Sequence, residues 1–191
     1  MRDIFESIYI NKVWKESFTT ESGPGSTLDC SEPYLMFLKK YSDKNNIQSI
    51  LDLGCGDFNL MKHFNFTDRT YLGIDIVPYL IEDNNIKYGN CNIKFEALSI
   101  LNYSFDKCFD LIIIKDVFQH LSTNNVKHIL SNIKNVKHII ITNDYADNNT
   151  DISDGGYTPI NLSTDPFNML GEYIFEWQSC NFLKKTFKLK L

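Results

Sequence analysis

The stretch Ser49-Ile50-Leu51-Asp52-Leu53-Gly54-Cys55-Gly56-Asp57 constrains this chain more than any other part of it. It reads as a short apolar strand ending in a carboxylate, a turn with two glycines, and the start of a helix. Glycine removes the side chain where backbone must approach a ligand, and a helix N-terminus offers unpaired N–H donors. The corner is therefore expected to hold a small molecule.

Two ligands use such a corner at the carboxyl edge of a parallel sheet, a dinucleotide and S-adenosylmethionine. The dinucleotide loop needs G-x-G-x-x-G, and Asn59 stands where the third glycine belongs. Asp52, directly before the loop, repels a pyrophosphate and attracts a sulfonium or ammonium. Asp75 closes the next strand, Tyr71-Leu72-Gly73-Ile74-Asp75, at about the 20-residue separation of a ribose-binding carboxylate. That last element serves both ligands, and an ordinary structural turn is the bland alternative to either.

Beyond the corner, helical and strand periodicities alternate, as a layered α/β chain requires. Residues 1–17 and Pro33–Tyr41 have helical spacing, the first with Ile4, Ile8 and Phe5 on one side. In the second, Leu35, Met36 and Leu38 make a stripe and Pro33 suits a first turn. Strands are expected at Gln48–Leu53, Thr70–Ile76, Ile93–Leu98, Phe109–Lys115 and His138–Thr142. Helices are expected at Asp57–Phe64, Pro78–Lys87 and Thr123–Lys134. Leu111–Ile114 and Ile139–Ile141 are apolar on both faces, the mark of parallel strands covered by helices. At the C-terminus Tyr173, Phe175 and Trp177, then Phe187, Leu189 and Leu191, alternate with other residues around Ser179-Cys180-Asn181. This predicts an antiparallel hairpin at the sheet edge, its lysines keeping an edge strand soluble. One domain is expected over 1–191, with N-terminal helices and a covering loop in 1–45 and the catalytic core in 46–191.

The formal net charge of −5 leaves no electrostatic footprint for a polyanion, so no nucleic-acid partner is expected. Five cysteines stand singly without C-x-x-C pairs, which argues against a disulfide framework or structural zinc and for a reducing cytoplasm. No apolar run reaches membrane-spanning length, and the first residues do not read as a signal peptide.

On these residues the chain resembles the class I S-adenosylmethionine-dependent methyltransferases. Leu51-Asp52-Leu53-Gly54-Cys55-Gly56 matches their hydrophobic-Asp-x-Gly-x-Gly motif, and Asp75 their acidic end of the second strand. The resemblance runs from about Gln48 to the C-terminus. It is closer still to a subgroup of small bacterial and viral methyltransferases often found among carbohydrate-modification genes. The shared pieces are Glu21-Ser22-Gly23-Pro24-Gly25-Ser26, Gly54-Cys55-Gly56-Asp57-Phe58-Asn59 and Lys115-Asp116-Val117-Phe118-Gln119-His120-Leu121-Ser122. Gly155-Gly156-Tyr157-Thr158-Pro159-Ile160-Asn161-Leu162 and Pro166-Phe167-Asn168 complete them. Two positions depart from the broad family: Phe58 stands where a third glycine is common, and Ser99 where an acidic residue receives the adenine amino group.

The resemblance implies a Rossmann-like seven-stranded, mostly parallel sheet flanked by helices, with S-adenosyl-L-methionine as cofactor. It places cofactor contacts at Asp52, Gly54, Cys55, Gly56, Asp75, Ile76, Ser99, Ile100, Asp116 and Val117. His120 follows the fourth strand at the same sheet edge and is the first candidate for a base that deprotonates an acceptor hydroxyl; packing beneath the cofactor is its alternative role. Asp116 is placed to face the cofactor or orient that histidine, and Asp144 is a second candidate base. Asp116, Asp144 and Asp151 also offer oxygens to a hard cation, but nothing in their spacing demands one and no metal is assigned. The acceptor is expected between the N-terminal loop (Trp14, Ser22, Gly23, Ser26) and the long polar segment Asn143–Leu170 (Asn143, Tyr145, Gly155, Gly156, Tyr157, Asn161). Trp14 has ordinary core as its alternative, and Gly155–Gly156 a plain turn. The expected reaction is O-methylation of a sugar or nucleotide-sugar. Other small-molecule or macromolecular acceptors, an NAD-dependent oxidoreductase, and a non-catalytic binding module remain the alternatives.

Overall fold

The structure, a computed structural model, describes residues 1–15, 20–180 and 182–190. Its sequence of elements is α1 (Arg2–Ile10), α2 (Leu28–Lys44), β1 (Ser49–Leu53), β2 (Thr70–Asp75), α3 (Pro78–Tyr88) and β3 (Ile93–Ala97). It continues with β4 (Phe109–Lys115), α4 (Thr123–Asn132), β5 (Val136–Asp144), β6 (Gly171–Ser179) and β7 (Phe182–Leu189). The strands form one seven-stranded sheet in the order β3-β2-β1-β4-β5-β7-β6. Strands β1 to β5 run parallel, while β7 lies antiparallel to both β5 and β6. This is the expected Rossmann-like sheet with a C-terminal antiparallel hairpin.

Strand alternation divides the core. Leu51, Leu53, Ile112, Ile114, Ile139 and Ile141 face Phe5 and Ile8 of α1 and Val126 and Ile129 of α4. Ile50, Leu111, Ile113 and Ile140 face Tyr34 and Leu38 of α2 and an aromatic group around Phe58. Ile112, Ile113 and Ile114 are each 1% exposed, so β4 feeds both layers, each side chain contributing about 1.5–3 kcal/mol of apolar burial to its own.

Several sequence expectations are corrected. No α-helix follows the glycine turn; a single 3-10 turn, Met61–His63, occupies that place. The reason is Phe58, which takes φ +59° and sinks its ring, 2% exposed, among Phe66, Tyr71, Tyr88 and Phe95. A left-handed residue at that point interrupts a right-handed helix. Helix α2 starts at Leu28 instead of Pro33, because the Thr27 side chain accepts the Cys30 N–H as an N-cap. Pro33 consequently lies inside the helix, and Met36 and Ile4 face solvent. Cys30 and Cys180 form a disulfide joining α2 to the β6–β7 turn, whereas their isolated positions argued against disulfide bonding. Strand β7 is interior to the sheet, so its lysines do not guard an edge. Glu16–Thr19, Asn181 and Leu191, parts of the expected first helix and hairpin, lie outside the described residues. No helix among the described residues is long and apolar enough to cross a membrane.

The topology brings the carboxyl ends of β1, β2, β4 and β5 to one edge. Gly54, Asp75, Asp116 and Asp144 stand there at or just beyond the ends of their strands. In an open α/β sheet, this is where ligands bind.

Candidate active site

A cavity of about 290 Å³ opens at that edge. Its inner wall is the glycine turn (Gly54, Cys55, Gly56) with Asp75, Ile76, Ile100, Leu101 and Val117. The N-terminal residues Phe5, Tyr9, Trp14 and Ser22 to Ser26 cover it, and Asp116, Gln119, His120, Asp144, Tyr157, Phe182 and Lys184 line the far end.

The glycine turn is fixed by sterics and by Asp75. Gly54 has φ +85°, and a Cβ there would lie 2.4 Å from Val117 Cγ2. Asp75 Oδ2 accepts the Gly56 N–H at 3.0 Å, and Oδ1 accepts the Val77 N–H at 3.1 Å. Each carboxylate oxygen keeps a further acceptor position, and Asp75 lines the cavity. Burial pushes the Asp75 pKa upward against these hydrogen bonds.

The covering loop is pinned by the residues that replace the missing helix. Asp57 Oδ2 accepts the Glu21 N–H at 2.9 Å and the Thr20 hydroxyl. Asn59 Nδ2 donates to the Ser26 carbonyl at 2.8 Å, and the Asp57 N–H donates to Ser22 Oγ at 3.1 Å. Asn59, the residue that spoils a dinucleotide fingerprint, thus ties the loop down.

Charges alternate at the far end. Asp116, with φ +59°, binds Lys115 through Oδ2 and Lys184 through Oδ1, the latter at 2.6 Å. Lys184 also binds Asp144 Oδ1 at 2.6 Å, and Asp144 Oδ2 accepts the Tyr157 hydroxyl at 2.9 Å. Burial opposes ionisation of Asp116, but the two ammonium groups outweigh it and hold the carboxyl well below its usual range. The Lys115 ammonium further donates to the Gly25 carbonyl at 2.7 Å, joining the covering loop to β4.

His120 stands between these charges and the glycine turn. Its Nδ1 lies 2.8 Å from the Gly156 carbonyl oxygen, and its ring centroid 4.7 Å from that of Trp14. A carbonyl only accepts, so Nδ1 carries the proton and Nε2 keeps the lone pair. Desolvation pushes the His120 pKa below its usual value, against the pull of Gly156, Asp116 and Asp144.

Gly54, Cys55, Gly56, Asp75, Ile76, Ile100, Asp116 and Val117 line the cavity together with Trp14, Ser22, Gly23, Ser26, His120, Asp144 and Tyr157. Other candidates do not. Asp52 points with Ile50 to the opposite face of the sheet, where the Tyr71 hydroxyl donates to it at 2.6 Å. Burial raises its pKa to about 7, so it is not the full negative charge its position in the motif implied. Ser99 turns its hydroxyl to accept the Leu101 N–H at 3.3 Å and caps a local turn. Asn143 alternates with Asp144 along β5 and is 4% exposed, away from the cavity. Tyr145 lies under the Lys185 ammonium at 3.9 Å. Asn161 accepts from Tyr173 at 2.8 Å and organises its own loop. Gly155 and Gly156 hold His120 from behind: the Gly155 N–H donates to the His120 carbonyl at 2.8 Å. The segment from 145 to 170 is accordingly docked on the sheet, not a free lid, and of the acceptor candidates on it Tyr157 alone lines the cavity.

Lys184, Lys115, Gln119, Tyr9 and Phe182 are cavity residues that the sequence reading did not select. Lys184 carried a usable signal, a lysine three residues after the turn and following Phe182 and Leu183. Only β5 pairing with β7, Asp144 opposite Lys184, gives that lysine its role.

Residues 50–138, just under half of the chain, match the family model described as a methyltransferase domain. A 79-residue segment is 32% identical to malonyl-[acyl-carrier protein] O-methyltransferase of Acetivibrio thermocellus, covering 40% of this chain and 28% of that protein. Among solved structures, N-methyltransferase NodS from Bradyrhizobium japonicum WM9 with S-adenosyl-L-homocysteine superposes with a TM-score of 0.69 at 14% identity, covering 97% of this chain and all of that one. Magnesium protoporphyrin IX methyltransferase from Synechocystis PCC 6803 with the same ligand gives 0.62 at 11% identity, over 98% and 96% of the two chains. At such identities the structural likeness is one of fold. Residues 50–138 thus match a methyltransferase domain, and the whole chain has the fold of methyltransferases of known structure.

Proposed function

We propose that this chain transfers a methyl group from S-adenosylmethionine to a hydroxyl of a sugar or nucleotide-sugar. The observation that carries the reading is His120: its Nδ1 is tied to Gly156, which puts the lone pair on Nε2, 3.5 Å from the Gln119 amide nitrogen, in a residue that lines the same cavity as the glycine turn. The carbohydrate part rests on the resemblance to the carbohydrate-associated subgroup, with support from a cavity end that combines carboxylates, ammonium groups and aromatic rings.

The cavity residues fit the cofactor. Asp75 has acceptor positions left for ribose hydroxyls, Gly54 and Gly56 clear the backbone, and Ile76, Ile100, Leu101 and Val117 offer an apolar slot for adenine. Bound there, S-adenosylmethionine supplies an electrophilic methyl group on a positively charged sulfur. The protein supplies the rest. Ser22 to Ser26, fastened by Asp57, Asn59 and Lys115, keep water out; displacement at carbon gains chiefly from such alignment and exclusion. His120 Nε2 takes the acceptor proton, a contribution of about 10²–10⁴ in rate for a positioned base. Asp116, neutralised by two ammonium groups, orients Lys184 and Lys115 and is not itself available as a base.

The test is twofold. Calorimetry with S-adenosylhomocysteine should show binding by the wild type and a loss of at least tenfold in Asp75→Ala. Label transfer from methyl-tritiated S-adenosylmethionine to a panel of nucleotide-sugars should then identify an acceptor, with His120→Ala inactive on it. Absence of any cofactor binding at millimolar concentration would sink the assignment.

A further inference from the structure

We propose that Lys184, Asp144 and Tyr157 form the subsite that reads the acceptor, and that it takes adjacent hydroxyls of an uncharged polyol ring. The proposal deepens the carbohydrate reading above and rests on it.

Lys184 is 4% exposed, yet it lines the cavity. Of three N–H donors, one goes to Asp116 Oδ1 and one to Asp144 Oδ1, each at 2.6 Å, which leaves one among the described residues. Asp144 spends one lone pair per oxygen, on Lys184 and on Tyr157, and keeps others. The Tyr157 hydroxyl donates to Asp144 and retains its acceptor lone pairs at a half-open position. The subsite thus presents one free donor beside free acceptors. A sugar hydroxyl donates once and accepts as well, so two neighbouring hydroxyls match this set. An acceptor lacking them leaves buried polar groups unpaired, the arrangement that discriminates most strongly between analogues.

Charge favours a neutral ring over a sugar acid. Lys115 and Lys184 are balanced by Asp116 and Asp144, so an added carboxylate meets no net positive charge. The rings of Tyr157 and Phe182, 5.7 Å apart, give the apolar edge of a pyranose a surface to rest on. A purely structural role explains the ion pairs less well: buried pairs are seldom more stabilising than apolar replacements, and this one borders a cavity.

The experiment uses the full chain saturated with S-adenosylhomocysteine. Saturation-transfer NMR measures binding of D-glucose, D-galactose, D-mannose and D-glucuronate. At least one neutral hexose is expected to bind in the millimolar range. Tyr157→Phe, at a half-exposed position and therefore expected to fold, should weaken it at least threefold. Lys184→Met should weaken it at least tenfold, with S-adenosylhomocysteine affinity unchanged in both. If both variants bind the hexose like wild type, the subsite is misplaced while the carbohydrate reading stands. If D-glucuronate binds tenfold tighter than any hexose, the site reads an anion and the proposal fails. If wild type holds S-adenosylhomocysteine but no sugar, the proposal and the carbohydrate reading fall together.

Discussion

His120 and Gly156 meet through a 2.8 Å contact between Nδ1 and a carbonyl oxygen, and the adjacent Gly155 N–H returns a bond to the His120 carbonyl. The two residues are 36 apart in sequence and belong to different connections of the sheet. Their pairing fixes a tautomer and an orientation at once, as second partners of functional imidazoles do. It also explains a glycine pair that does not itself line the cavity: Gly155 has φ +85°, and a Cβ there would lie 2.4 Å from Ile4 Cγ2.

His120 should give a pH profile with one clear limb. Its base form is required, and desolvation lowers its pKa, so kcat/KM should rise with pH with its inflection below the usual histidine value. His120→Ala should reduce kcat by about 10²–10⁴ with cofactor affinity retained. The linkage runs the same way. Below the ordinary histidine pKa the unfolded chain binds a proton that the folded one resists, so this group costs stability as pH falls. Titration of the imidazole by NMR, compared with the kinetic limb, checks the assignment.

Asp52 and Asp75 should separate in their effects. Asp75→Asn removes a carboxylate that braces Gly56 and lines the cavity, and S-adenosylhomocysteine affinity should fall at least tenfold. Asp52→Asn acts on the opposite face and should change that affinity several times less. Its signature lies in stability. Burial raises the Asp52 pKa to about 7, so the folded state binds more protons than the unfolded one between roughly the ordinary aspartate pKa and neutrality. Stability contributed by the protonated form is present at acid pH and lost as pH rises towards 7. Urea unfolding from pH 4 to 8 should show that loss in wild type and a flatter curve in Asp52→Asn.

The sheet was legible because its signals are local: apolar runs for β1, β4 and β5, and period-two alternation over parts of β6 and β7. The glycine turn and Asp75 were legible for the same reason. What escaped depends on contacts distant in sequence. Phe58 looked like a helical residue until its ring found Phe66, Tyr71 and Phe95, which stabilise a left-handed backbone that no propensity favours. Lys184 was not singled out, because only an interior β7 pairs it with Asp144. Ser99 was assigned by position in a motif, whereas its hydroxyl serves the next turn. Cys30 and Cys180, 150 residues apart, show no spacing that a sequence reading could use.

Gly54→Ala tests the turn directly. The added methyl meets Val117 at 2.4 Å and the residue must keep φ +85°, so the loss should be about 2–4 kcal/mol. For a chain of this size that corresponds to a Tm lower by about 5–12 °C. Val117→Ala in the same chain removes the opposing methyl groups and should recover the steric part, leaving the backbone part. Thermal unfolding of the single and double variants measures the split. Equal Tm values for the two would show that Val117 is not the obstacle.

Asp57 and Asn59 should govern closure of the N-terminal loop without contacting the cavity. Asp57→Ala removes acceptors for the Glu21 N–H and the Thr20 hydroxyl, and Asn59→Ala removes the donor to Ser26. Each lost hydrogen bond is worth about 0.5–1.5 kcal/mol, or up to about 3 for those to a charged carboxylate. Amides of residues 20–27 should therefore exchange faster by hydrogen exchange in both variants, and more so in Asp57→Ala. Because the loop covers the cavity, S-adenosylhomocysteine should dissociate faster, with its association rate little changed. Stopped-flow binding separates the two rates, and a change confined to association would mean that the loop does not act as a cover.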